Sequence, residues 1–114
     1  MADFNQIFND IKNQLGPLAE QNLKEFAGQG KQDAEAFLEQ SRANLSKWVQ
    51  QLADGEIDQD EFQWLVESQK AAAEMTALQA ANAGTVRIEQ FRDSVFSVVV
   101  KTAVTAIAGT GTGT

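Results

Sequence analysis

The stretch Leu52-Ala-Asp-Gly-Glu-Ile-Asp-Gln-Asp-Glu-Phe-Gln-Trp-Leu-Val66 carries several signals of a turn between two helices. Gly55 follows a helical apolar pattern, at the position where a left-handed residue commonly ends a helix. Asp58 and Glu61 have the spacing of a capping box, in which each side chain accepts a hydrogen bond from the other residue's backbone N–H. The sequence therefore predicts a hinge at residues 54–58. Its residues are Gly55, Ile57, Asp58, Glu61 and Phe62, of which Ile57 and Phe62 have the spacing of a hydrophobic staple.

The same stretch resembles half of an EF-hand calcium loop. Gly55, Ile57 and Glu61 are spaced like the glycine, the hydrophobic residue and the last ligand of such a loop. The first and third loop positions, which need oxygen ligands, would fall on Gln50 and Leu52. Because leucine has no ligand atom, we predict no metal site and no cofactor here.

An eleven-residue spacing runs through the first half of the chain. Phe4, Leu15, Phe26, Phe37 and Trp48 follow one another at that interval. Eleven residues make three helical turns of about 3.67 residues, which favours a nearly straight helix. Gly16 and Pro17 interrupt the pattern, since proline has no backbone N–H to give to the preceding turn. We predict a short amphipathic helix at residues 1–16 and a first long arm at residues 17–53.

A matching apolar stripe follows the hinge and predicts a second arm at residues 58–108. Laid antiparallel around the hinge, the two stripes pair residues whose numbers add up to about 114, such as Leu23 with Phe91. The predicted fold is all-α, a long antiparallel two-helix hairpin over residues 17–108 preceded by the short helix. At about 1.5 Å per residue the arms would be roughly 55 and 75 Å long. Two helices cannot cover all of their apolar faces, so we expect oligomerisation to complete the fold.

The last part of the chain is apolar. Residues 94–108 contain one charge, Lys101, and many β-branched side chains, which lower helix propensity. We predict a helix buried in protein, with membrane insertion and a β-strand as the alternatives. The segment is shorter than the roughly 20 residues of a membrane-spanning helix. The repeated Gly-Thr pairs at residues 109–114 are typical of a flexible tail.

Composition narrows the classes of partner. The net charge is −7, and no basic patch is present that could neutralise nucleic-acid phosphates or anionic lipid. Five of the sixteen acidic residues lie at the hinge. The chain has no cysteine, and its start lacks the basic and apolar regions of a secretory signal. We expect a cytoplasmic location by default, with export by a signal-less route as the alternative.

The residue types present also argue against catalysis. The chain has no histidine, so its serines have no imidazole base, and a histidine-containing carboxylate metal site is excluded. The hinge carboxylates lie on a convex turn, whereas catalysis needs a concave pocket. We predict no catalytic residue and no small-molecule substrate.

Two functions fit this pattern. The first is a structural protein that self-assembles into a homo-oligomer, filament, tube or coat through its apolar stripe and C-terminal segment. The predicted assembly residues are Phe4, Phe8, Ile11, Val95, Phe96, Val98, Val99, Val100, Val104 and Ile107. The alternative is a membrane-active or lipid-surface protein, because an eleven-residue period keeps one helix face on a flat surface. An acidic, Gln- and Asn-rich polar face would restrict that alternative to neutral lipid or to pore formation by the C-terminal segment.

Overall fold

The chain folds into helices in a computed structural model that describes the backbone of residues 3–112 and the side chains of residues 3–108. The α-helices of this part are α1 (Phe4–Leu23), α2 (Ala27–Ala53), α3 (Gln59–Glu67), α4 (Thr76–Ala80) and α5 (Thr85–Thr112). Short 3-10 helices occupy Lys24–Phe26 and Ser68–Ala72, and residues 3–112 contain no strand. The all-α prediction is confirmed, and residues 94–108 are helical. The backbone of the predicted Gly-Thr tail is helical up to Thr112, and its last two residues lie outside the described part.

The predicted helix end at Gly16 and Pro17 is absent, because α1 runs without interruption through both residues. Packing outweighs the proline here, since Ile11, Leu15 and Ala19 form one buried face on either side of it. The chain turns instead at Lys24–Phe26, which we call the first break. Lys24 has φ 50° and ψ −104°, a backbone conformation that costs a residue with a side chain about 1–3 kcal/mol.

The hinge has the local geometry that its residues suggest. Gly55 has a φ of 76°, which glycine adopts without steric cost. The backbone N–H of Glu61 donates to Asp58 Oδ1 over 2.8 Å, and the N–H of Asp58 donates to Glu61 Oε1 over 3.4 Å. Phe62 is fully buried, and Ile57 packs partly exposed against the core. The hinge thus joins α2 to α3 through a capped turn.

The second arm is not the continuous helix that we predicted. It is interrupted between α3 and α4 by the 3-10 helix and residues 73–75, and again at residues 81–84, which we call the second break. Met75, Asn82 and Gly84 have positive φ angles there. Local sequence explains the second break, because asparagine and glycine tolerate the left-handed conformation that ends a helix. The first break has no such residue.

Both arms fold back at their breaks, and the result is an up-down-up-down four-helix bundle. The Arg42 guanidinium carbon lies 4.7 Å from the centre of the Phe8 ring, so α1 and α2 are antiparallel neighbours. Gln14 Nε2 donates to Thr102 Oγ1 over 2.9 Å, which sets α1 antiparallel to α5. The segment from α3 to α4 forms the remaining leg and packs against α2 and α5. The molecule measures 47 × 23 × 19 Å, so it is shorter than the predicted extended hairpin.

Several contacts nevertheless lie close to the register that the sequence predicts around the hinge. Asn44 Nδ2 donates to Gln69 Oε1 over 3.3 Å, and Arg87 Nη1 donates to Glu25 Oε1 over 3.5 Å. The residue numbers of these pairs add up to 113 and 112, close to 114. Residues of the two arms therefore pair close to the predicted register, even though each arm folds back at its break.

Candidate assembly surface

The ten apolar residues predicted to contact another copy fall into two groups. Buried inside the single chain are Phe8, Ile11, Val95, Phe96 and Val99. Partly exposed are Phe4, Val98, Val100, Val104 and Ile107. The first group belongs to the bundle core and does not reach a second molecule while the bundle is closed. Only the second group can contribute to a surface.

The buried group shows why residues 94–108 are apolar. The Phe96 ring lies edge-on to the Phe37 ring of α2, with centroids 5.4 Å apart. Val95 and Val99 are 0% and 1% exposed on the same helix. Much of the apolar segment therefore covers the other helices of its own chain. In residues 3–112, no helix combines the length and the apolar character that crossing a membrane requires.

Six of the partly exposed apolar residues lie on the parts of the chain nearest the hinge end of the bundle. The start of α1 reaches this end, since Phe4 packs on Phe8 at 5.7 Å between ring centroids and Phe8 lies under Arg42 of α2. The last turns of α2 and α5 arrive there too, because these two helices run parallel. We call this set the hinge-end apolar surface. It consists of Phe4, Trp48, Leu52, Ile57, Val104 and Ile107.

Acidic side chains share the hinge end of the bundle with this surface. Five exposed acidic residues of the hinge and of the first turn of α3 lie at the same end of the bundle. They are Asp54, Glu56, Asp58, Asp60 and Glu61. Like charges this close repel an approaching anion and attract cations, an effect that salt screens over about 10 Å at 0.1 M. We call these five residues the acidic rim, and they share one end of the bundle with the hinge-end apolar surface.

The most exposed large apolar side chains of the described residues lie apart from one another. Trp64 on α3 and Val86 on the first turn of α5 are each 68% exposed. Trp64 lies toward the hinge end, whereas Val86 lies near the breaks at the opposite end. Only Trp64 is therefore placed to extend the hinge-end apolar surface.

Asp33 is a structurally important residue that the sequence reasoning missed. Its carboxylate is 7% exposed and accepts hydrogen bonds from the backbone N–H groups of Ala77 and Leu78, over 2.9 and 2.8 Å. It thereby caps α4 from α2, because Met75 provides no side-chain cap. Capping motifs are recognised between close neighbours in sequence, and this one spans 44 residues.

Charged residues line a shallow groove of about 730 Å³ beside α4 and α5. Lys70, Glu74, Glu89 and Arg92 are among its lining residues, so the groove carries both signs of charge. Among the described residues, no three acidic, histidine or cysteine side chains come together as a metal site would require. This composition does not point to a particular ligand.

Glu25 and Arg87 join the two breaks across the other end of the bundle. Hydrogen bonding by the backbone lowers the pKa of Glu25, and the charge of Arg87 acts in the same direction. The Arg87 guanidinium also lies 5.6 Å from the centre of the Phe26 ring. The pair links α5 to the first break at an exposed position, where ion pairs contribute little to stability.

Comparison of the chain with protein-family models, with curated proteins and with solved structures finds no significant match. Function therefore has to be inferred from the surface and the fold of this molecule.

Proposed function

We propose that this chain is a non-enzymatic structural protein whose copies associate with one another. The observation that supports this most directly is the hinge-end apolar surface, where side chains from α1, α2, the hinge and α5 remain partly exposed. Contiguous apolar patches on the surface of soluble proteins commonly mark sites of interaction. The proposed product is an oligomer or a longer assembly of the bundle.

The charges around this surface favour a protein partner over an anionic one. The acidic rim repels nucleic acid and anionic lipid, since both carry dense negative charge. A second copy of the chain has apolar and basic side chains as well as acidic ones. Lys47 and Lys101 are exposed on the helices that end near the surface.

The first test is the mass of the protein in solution, measured by light scattering over a dilution series without detergent. Association predicts a mass that rises with chain concentration. A mass that stays at one chain across the series would contradict the proposal. Neutral lipid would then be the next partner to test, by flotation with zwitterionic vesicles.

A matched pair of substitutions on α5 tests where the copies touch. Val104 belongs to the hinge-end apolar surface, whereas Val86 is more exposed and lies at the opposite end of the bundle. Val104→Asp should weaken association by about tenfold or more, because it places a charge in an apolar contact. Val86→Asp should leave the mass unchanged. Equal effects of the two variants would show that the hinge end is not the contact.

The buried residues of the predicted assembly set are unsuitable for this test. Val99 is 1% exposed, so Val99→Asp would place a charge in the bundle core and unfold the chain. A loss of association in that variant would report folding and would carry no information about a surface.

A further inference from the structure

The first break itself contains no residue that requires a helix to end, although Gly28 and Gly30 follow it. The residues around it read Asn-Leu-Lys-Glu-Phe-Ala, without a glycine or a proline. Lysine, glutamate, leucine and alanine are all good helix formers. Lys24 is nevertheless forced to a φ of 50°, where side chains cause steric conflict. The closed bundle thus holds strain at Lys24 that a straight helix through the first break would release.

The contacts of the bundle divide into two classes with respect to the breaks. The first class consists of contacts that straightening the breaks would keep. Contacts between α1 and α5, such as Gln14 with Thr102, belong to it because both helices lie on the same side of the breaks. Pairs between α2 and the segment from α3 to α4, such as Asn44 with Gln69 and Asp33 with α4, lie entirely on the other side. Straightening both breaks would keep all of these contacts.

The second class consists of contacts between the α1–α5 pair and the other helices. A single chain that opened at both breaks would lose these contacts. The second class includes the contact of Phe8 with Arg42 and the edge-on contact of Phe37 with Phe96. Both breaks lie at the same end of the bundle, so the pair of α1 and α5 can swing out as one unit. Gly84 at the second break has a φ of 95°, and without a Cβ it adopts negative φ angles about as readily.

We propose that two copies of the chain open at both breaks and exchange their α1–α5 pairs. This inference rests on the proposed function, since it describes how the copies associate. In the exchanged dimer, α1 and α5 of each copy pack on α2 and α3 of the other copy. Every contact of the second class forms again between chains, and Lys24 is released into a continuous helix. Exchange of identical elements is a low-cost route to dimers for this reason.

The exchanged dimer forms without bringing two acidic hinge ends together. The breaks lie at the centre of this dimer and the two hinges at its opposite ends. The dimer would be about twice the 47 Å length of the bundle. The five acidic residues of each hinge are then far outside the roughly 10 Å range of charge repulsion at 0.1 M salt. Both hinge-end apolar surfaces remain available to join dimers end to end.

A distance within one chain separates exchange from simple surface contact. The chain has no cysteine, so Asn9→Cys and Ala43→Cys, made together, provide two unique sites for spin labels. Both positions are exposed and lie next to Phe8 and Arg42 in sequence. Packed helices have axes about 8–10 Å apart, so the labels of a closed bundle should lie within about 20 Å. In an opened chain, a continuous helix separates them by about 50 Å.

The experiment refolds the labelled chain at high concentration with an excess of unlabelled chain, so that only distances within one chain are recorded. The dimer fraction is then isolated and measured by pulsed electron paramagnetic resonance. A distance of about 50 Å is expected from the helical rise. A short distance in the dimer would overturn the exchange and leave the proposed function intact. A chain that stays monomeric under all conditions would overturn both.

Two variants test the role of the first break. Lys24→Gly relieves the strain of the closed bundle and weakens the straight helix, so we expect the association constant of the exchanged dimer to fall by about tenfold per copy. Gly28→Ala is the matched control, because an added Cβ there meets no atom within 4 Å. Gly28 is helical both in the closed bundle and in the exchanged dimer. Gly28→Ala should therefore leave the dimer fraction unchanged. An unchanged dimer fraction for Lys24→Gly would contradict strain release as the driving force.

Discussion

At the scale of single residues, Asp33 shows how a buried charge can be useful to this fold. Its two carboxylate oxygens accept backbone N–H groups from the first turn of α4. Those donors would otherwise be left without partners inside the bundle, which is costly. A five-residue helix has little stability of its own. α4 therefore depends on a side chain from α2.

Replacement of this carboxylate should be costly. We expect Asp33→Ala to lower the free energy of unfolding by about 2–3 kcal/mol, since it leaves one buried and one partly buried donor without partners. Urea unfolding measures the loss, and hydrogen exchange should show faster exchange at Ala77 and Leu78. Asp10→Ala, at an exposed position of α1, is the control and should change stability little. Equal losses in both variants would contradict the capping role.

Gly30 of α2 lies against side chains of α1 and α5. A Cβ at this position would overlap Leu23 Cδ1 and lie 3.3 Å from the Phe91 ring. We expect Gly30→Ala to destabilise the bundle by about 1–3 kcal/mol, because overpacking outweighs the gain in helix propensity. Thermal unfolding is the measurement. Gly16→Ala has free space around its new methyl group and should instead stabilise α1 by up to about 1 kcal/mol.

At the scale of the helices, sequence reasoning succeeded where the signal was local. The turn after α2 is specified within a few residues by Gly55, Asp58 and Glu61, and the structure has both hydrogen bonds of the capping box. Helix and break positions elsewhere depend on tertiary packing. α1 continues through Pro17 since its buried face is continuous, and it ends at Lys24 where no local residue requires an end. Only the folded bundle explains these two positions.

The proline within α1 should be dispensable for folding. Pro17 is exposed, and its ring removes a backbone hydrogen bond in the middle of a helix. We expect Pro17→Ala to raise the free energy of unfolding by about 1–3 kcal/mol, as measured by urea unfolding. A decrease would show that the proline is itself needed for the packing of α1 on α2 and α5.

At the scale of the whole molecule, the sequence predicted the apolar stripes but not their folding back. A stripe of buried residues is equally consistent with a long hairpin completed by other copies and with a bundle completed by its own arms. The two differ in whether Phe8 and Phe96 pack within one chain or between chains, and no local pattern distinguishes these cases. For the same reason, half of the predicted assembly residues lie in the core of a single chain.

Salt should strengthen the association of whole molecules. The acidic residues of the hinge repel one another when two hinge ends approach. Raising the ionic strength from about 0.01 to 1 M shortens the screening length from about 30 to 3 Å. We expect the mass measured by light scattering to increase over this range. A mass that falls with salt would show that pairs of opposite charge hold the copies together.

The packing of α1 against α5 has a consequence for protein synthesis. α1 leaves the ribosome well before α5, so its α5-facing side stays uncovered while about 60 further residues are made, for several seconds at 5–20 residues per second. α2 can cover the other side of α1 during that time. When several ribosomes translate one messenger RNA, the uncovered sides of α1 on neighbouring nascent chains lie close together. Translation is therefore the stage at which a completed α5 can meet the α1 of a neighbouring chain as readily as its own.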